Sequence, residues 1–147
     1  MTGRKVFNKH SPSEGDKFFI PLPSDARHYI HHSRMNADKL YLYALIIDYY
    51  NPLEGRAFPT LETLSIKYGK VTDTTSHHLK DLQEVGLIDF PEMGYYIPLE
   101  PLDEQAFFSV FPEAKKNMDE AIEKSDTRRA KAAERMRKFR EEKGYML

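Results

Sequence analysis

Cysteine and tryptophan are both missing from this sequence. Without cysteine there is no disulfide framework and no thiolate metal site, a composition suited to a reducing compartment, so a cytoplasmic location is expected. No hydrophobic run approaches the ~18 residues that a membrane span requires. The first ten residues are polar and basic rather than apolar, so neither export nor a membrane partner is expected. A surplus of one charge is lacking too. The formal net charge is only -1, and any attraction to nucleic acid must therefore come from how charge is distributed. Glycine-rich phosphate loops and nucleophile motifs are likewise absent. The histidine cluster His28, His31 and His32 places two imidazoles at i and i+4, a spacing that suits zinc, but no cysteine or signature carboxylate joins it. These absences argue against an enzyme, a cofactor and a metal site.

What the chain does have is a core. Hydrophobic residues make up 40% of it, with nine Phe and nine Tyr as the large side chains. A folded unit of this size hides roughly 70% of the surface its unfolded chain would expose. The composition divides the chain into a flexible basic arm (1–17, with Arg4, Lys5 and Lys9), a central domain (18–101) and a charged helical extension (102–147).

Periodicity then orders the central domain. Phe18, Phe19 and Ile20 read as an extended segment able to join a sheet edge, and Ser24 or Asp25 caps a short helix to His32. From Asn36 or Asp38, the residues Leu40, Tyr43, Ala44, Ile47 and Tyr50 recur at helical spacing until Asn51-Pro52, with Leu42, Leu45 and Ile46 on other faces. A short strand over 56–59 precedes a helix capped by Thr60, with Leu61, Leu64 and Tyr68 on one face and Gly69 at its end. A second helix runs over about 72–85, with Thr75, Leu79 and Leu82 on a stripe and Gly86 as its stop. Two strands, 87–90 and 95–99, flank a hairpin turn containing Gly94. The class is mainly α with a small β-hairpin, an α+β fold.

This order of elements from about Asp38 to Glu100, together with the segment AFPTLETLSIKYGKVTDTTSHHLKDLQEVGLI, resembles the winged helix-turn-helix DNA-binding family. The upstream stretch FFIPLPSDARHYIHHSRMNADKLYLYALI resembles the N-terminal domain of replication initiators of Gram-positive plasmids and related phage proteins. The resemblance implies double-stranded DNA as partner and a role in transcription regulation, or as an accessory factor in plasmid or phage DNA replication or transfer. It also implies that the second helix of the pair enters the major groove. Setting Thr75, Leu79 and Leu82 inward turns Asp73, Thr74, Ser76, His77 and Lys80 outward, and brings His78 near the core flank. Thr74, Ser76 and His77 take the family's base- and phosphate-reading slots. Thr72 is expected to cap the helix, Lys70 and Lys80 to meet phosphates, and Thr60 to belong to the same DNA-binding set.

Charge departs from the family pattern. Over 56–100 there are four basic residues against seven acidic ones, and the hairpin carries no Lys or Arg. Phosphate attraction is then expected from the N-terminal arm and from a cluster that includes Arg128, Arg129 and Arg135, within a segment (128–143) of eight Lys or Arg and three Glu. That last helix, restarted after Ser125-Asp126-Thr127, is alternatively a homodimer element. In that reading Ala130, Ala133, Met136 and Phe139 form a stripe that, with Phe107, Phe108 and Phe111, meets a second subunit. The alternative for the whole domain is a protein-contact winged helix that docks a basic partner in a nucleoprotein complex through an acidic face.

Overall fold

The computed structural model describes residues 3, 6–8, 10, 19–92 and 95–144. The chain is mainly helical with one four-stranded antiparallel sheet, the α+β class expected from the sequence. No helix among the described residues is long and apolar enough to cross a membrane. The fold divides into two compact units, Met1–Pro23 with Asp38–Glu100, and Ser24–Ala37 with Pro101–Leu147. Arg4, Lys5 and Lys9 of the basic arm lie outside the described residues.

In the first unit, α1 (Ala37–Asp48) buries Leu40, Leu42, Tyr43, Ala44, Leu45 and Ile46, so its apolar residues are covered on several faces. The Tyr43 hydroxyl donates to the Leu99 carbonyl and ties the helix to the end of the last strand. The helix stops sooner than its periodicity implies. Tyr50 belongs to β1 (Tyr50–Asn51), which pairs with β2 (Arg56–Ala57). Pro52 denies Asn51 a helical conformation, and the Asn51 side chain accepts the Leu53 N–H at 2.9 Å to turn the chain. Phe19 and Ile20 do not add to the sheet and are exposed. Pro21 supplies no N–H for a ladder, and β1 lies outermost beside β2.

Thr60 begins α2 (Leu61–Tyr68) by accepting the Thr63 N–H at 3.0 Å. Gly69, at φ +75°, ends it and returns its N–H to the Ser65 carbonyl, a left-handed position that costs a residue with a Cβ roughly 1–2 kcal/mol. Three residues later α3 (Thr72–Glu84) starts. Thr72 is not its cap. Val71 holds the flanking extended position, offers no side-chain acceptor, and leaves Thr72 already helical. After α3, β3 (Ile88–Glu92) and β4 (Tyr95–Pro98) form the hairpin, and β4 also pairs with β2 through Ala57 and Tyr96. The sheet order is β1-β2-β4-β3.

The second unit is built on a 3-10 helix (Ser24–His31), α4 (Glu104–Val110) and α5 (Pro112–Glu142). The sequence placed residues 24–37 with the winged segment, but their contacts are with α4 and α5. Tyr29 stacks on Phe107 at 4.2 Å, and Asn117 donates to the His31 carbonyl at 2.9 Å. Phe107, Phe108 and Phe111 are therefore not a free face for a partner. They close this unit's own aromatic core, with Phe107 fully buried against Tyr29 and His28 and Phe111 edge-on to His32. His28 likewise is a buried core histidine whose Nε2–H donates to the Leu102 carbonyl. No group of three potential ligands is placed to hold a metal ion among the described residues.

Ser125-Asp126-Thr127 neither breaks nor restarts a helix. α5 is continuous for 31 residues, because three polar residues without Gly or Pro lower helix propensity only slightly. The stripe of Ala130, Ala133, Met136 and Phe139 does not survive this geometry. Steps of three residues drift about 60° each, which sets Ala130 and Phe139 on opposite sides of the helix.

Candidate nucleic-acid interface

The candidate surface begins with the two faces of α3. Thr75, Leu79 and Leu82 point into the core, and the Thr75 hydroxyl donates to the Val71 carbonyl at 3.0 Å, hiding its polar group. The opposite face is polar. Asp73, His77 and Lys80 are exposed, Thr74 and Ser76 are half-buried at its margins, and Thr72 is exposed at the first turn. Asp73, Thr74, Ser76, His77 and Lys80 turn away from the core stripe, as the periodicity predicts, whereas Thr72 lies on the stripe's own side and is exposed because it stands at the end of the helix. Backbone N–H groups at the start of α3 have no side-chain cap, and the helix dipole adds a partial positive charge there.

Three polar ties fix where this face points. Lys39 at the start of α1 pairs with Asp81 of α3 at 3.0 Å, with both side chains largely covered. Lys70, in the turn between α2 and α3, pairs with Asp38 at 3.1 Å. The Tyr68 hydroxyl of α2 lies 2.7 Å from Nδ1 of His78 on α3. Burial raises the Tyr68 pKa, with the Asp38 charge adding to it, so the phenol keeps its proton and is able to donate to Nδ1 of a neutral His78. Burial, followed by the Lys39 charge, lowers its pKa and favours that form.

A pH dependence follows from this tie. With its folded pKa below the ordinary 6.5, His78 costs nothing above that pH, where both folded and unfolded forms are neutral. As pH falls through it, the unfolded chain binds a proton that the fold refuses, and stability declines until the folded pKa is reached. His32 shifts the same way through burial and Arg34. The melting temperature is expected to fall between pH 7 and 5, and His78→Gln, which keeps an acceptor but does not titrate, should reduce that fall. An unchanged slope in the variant would remove His78 from the explanation.

Comparison of this chain with protein-family models, curated proteins and solved structures finds no match. Its chemistry therefore rests on its own residues.

The remaining site residues are dispersed. Thr60 spends its hydroxyl on the cap and on Thr63 Oγ1 at 2.9 Å. Arg128, Arg129 and Arg135 stand exposed on α5, in the second unit. Arg129 lies 3.8 Å from Asp126, an exposed pair worth little. The neighbouring Arg137 is engaged with Glu134 and Glu141, and its hydrogen bond holds the Glu134 carboxyl below the usual range. One basic residue takes a place that periodicity did not suggest. Arg56 of β2 lies over the Tyr95 ring of β4 at 4.0 Å and near Phe58 at 5.2 Å, so a cation is held beside the hairpin that has none of its own. Only the pairing of β2 with β4 brings Arg56 and Tyr95 together, across 39 residues of sequence.

Proposed function

We propose that the first unit is a winged helix that binds double-stranded DNA sequence-specifically in the cytoplasm, as a transcription regulator or an accessory factor of plasmid or phage replication or transfer. One observation carries the reading. A 13-residue helix lies anchored by its apolar face, follows a neighbouring helix after a short turn, and exposes Asp73, His77 and Lys80 with the hydroxyls of Thr74 and Ser76 at the margins. A B-DNA major groove admits such a helix, and hydroxyl and imidazole groups match the donors and acceptors on base edges. The element order α1, β2, α2, α3, β3, β4, with the hairpin directly after α3, supports it. Arg56, over the Tyr95 ring and in a partly exposed pair with Glu54 at 3.9 Å, is a cation beside the hairpin that phosphate would draw away from the carboxylate.

The test is a titration with mixed-sequence duplex across salt concentrations. Three or four phosphate contacts per copy give a log–log slope of roughly -3 to -4. Arg56→Ala is expected to make that slope shallower by about one. Absence of duplex binding near 50 mM salt would overturn the proposal.

A second reading, protein contact, is favoured by one specific feature. Ile66 and Val71, at the corner between α2 and α3, are 79% and 70% exposed, and Lys70 and Lys39 beside α3 are paired with Asp38 and Asp81. An apolar corner beside an acidic surface suits a basic protein partner.

A further inference from the structure

From Asp119 onward every described residue of α5 is exposed except the half-buried Ser125. At 1.5 Å per residue this leaves roughly 35 Å of helix without cover from the other described residues. Isolated helices are marginal in water, and stability normally comes from packing an apolar face. Such a face exists. Ile122, Ser125, Arg129, Ala132, Met136 and Phe139 follow one another at alternating intervals of three and four residues, the seam spacing of a two-stranded coiled coil. Its large members, Ile122, Met136 and Phe139, are each about half exposed.

Charge identifies what covers the seam. Residues 113–126 carry five Asp or Glu against three Lys, whereas residues 128–143 carry eight Lys or Arg against three Glu. One helix therefore has an acidic half and a basic half. Two copies side by side in the same direction would set basic half on basic half and Arg129 on Arg129. Reversing one copy takes Arg129 off Arg129 and sets most of each basic half against the acidic half of the other.

We infer that α5 pairs antiparallel with α5 of a second copy of this chain, in the register that sets Ile122 opposite Phe139, Ser125 opposite Met136, and Arg129 opposite Ala132. Each layer then joins seam positions of complementary kind. Ser125 leaves room for Met136, Ala132 leaves room for the Arg129 stem, and Ile122 with Phe139 forms the apolar layer at each end. The same register brings Asp119 alongside Arg140 of the second copy on the flank, at both ends. It also sets Arg128 beside Arg135 of the second copy, a like-charge contact that likewise occurs twice, set against the two Asp119–Arg140 pairs and the two apolar end layers. The inference stands on the second unit alone and does not depend on DNA binding.

The chain lacks cysteine, so placed thiols report the register cleanly. The full chain is expected to sediment as a dimer, and Ile122→Glu or Phe139→Glu to weaken self-association about tenfold or more, at exposed positions that leave the melt of the monomer unchanged. A variant carrying both Asp119→Cys and Arg140→Cys, flank positions that leave the seam intact, should form a covalent dimer with a short bis-maleimide, while each single variant stays uncoupled. Within one helix these two positions are roughly 30 Å apart, so the linkage is necessarily between copies. A monomer at all concentrations, coupling of the single variants, or a dimer in which the double variant does not couple would each overturn the inference.

Discussion

Replacing Leu82 by alanine is expected to lower the stability of the first unit by roughly 2–5 kcal/mol. Leu82 is fully buried, and it holds the C-terminal half of α3 against the core that α1 and the hairpin complete. Removing its isobutyl group costs the transfer energy of the lost atoms and leaves a cavity that rigid neighbours fill only in part. For a domain whose whole stability is on the order of 5–15 kcal/mol, that is a large fraction. Urea denaturation followed by circular dichroism measures it, and a loss below about 1 kcal/mol would mean that α3 is not anchored as described.

The opposite face of the same helix is expected to behave in the reverse way. Exchanging Thr74, Ser76 and His77 together for alanine should change stability by no more than a few tenths of a kcal/mol per site. Affinity for a preferred duplex should fall about 30- to 1,000-fold, or ~2–4 kcal/mol, if these side chains meet base edges. Binding to mixed-sequence duplex, which depends on phosphate contacts, should change much less. Anisotropy titrations with both duplexes separate the two effects. Equal losses on both would assign these residues to backbone contact.

How far the sequence carries this picture depends on the range of the interaction. The helices of the first unit, the turn at Gly69 and the outward face of α3 were legible because each is written in local spacing: Leu61, Leu64 and Tyr68 on one helix, Thr75, Leu79 and Leu82 on the next. The strand β1 was not, since Tyr50 fits a helical stripe and only Pro52 and the pairing with Arg56 and Ala57 pull it out. Phe107 looked like an external face because its partners, His28 and Tyr29, lie nearly eighty residues away and periodicity carries no information about them. The ties of Lys39 to Asp81 and of Tyr68 to His78 were hidden for a similar reason. Lys39 and Asp81 read as ordinary surface, and Tyr68 and His78 as core-side residues without an assigned partner, until the helices that carry them meet. The cap of α3 was misplaced by one residue, a shift that a polar run such as Thr72-Asp73-Thr74-Thr75 cannot prevent, because each member is an acceptable cap.

The most direct measurement is selection of bound duplexes from a random pool by the full chain at low salt, followed by sequencing of the retained DNA. Sequence-specific reading by α3 predicts enrichment of a defined site, and loss of that enrichment in the Thr74, Ser76 and His77 triple variant. Retention of duplexes without any sequence preference, or no retention at all, would contradict it.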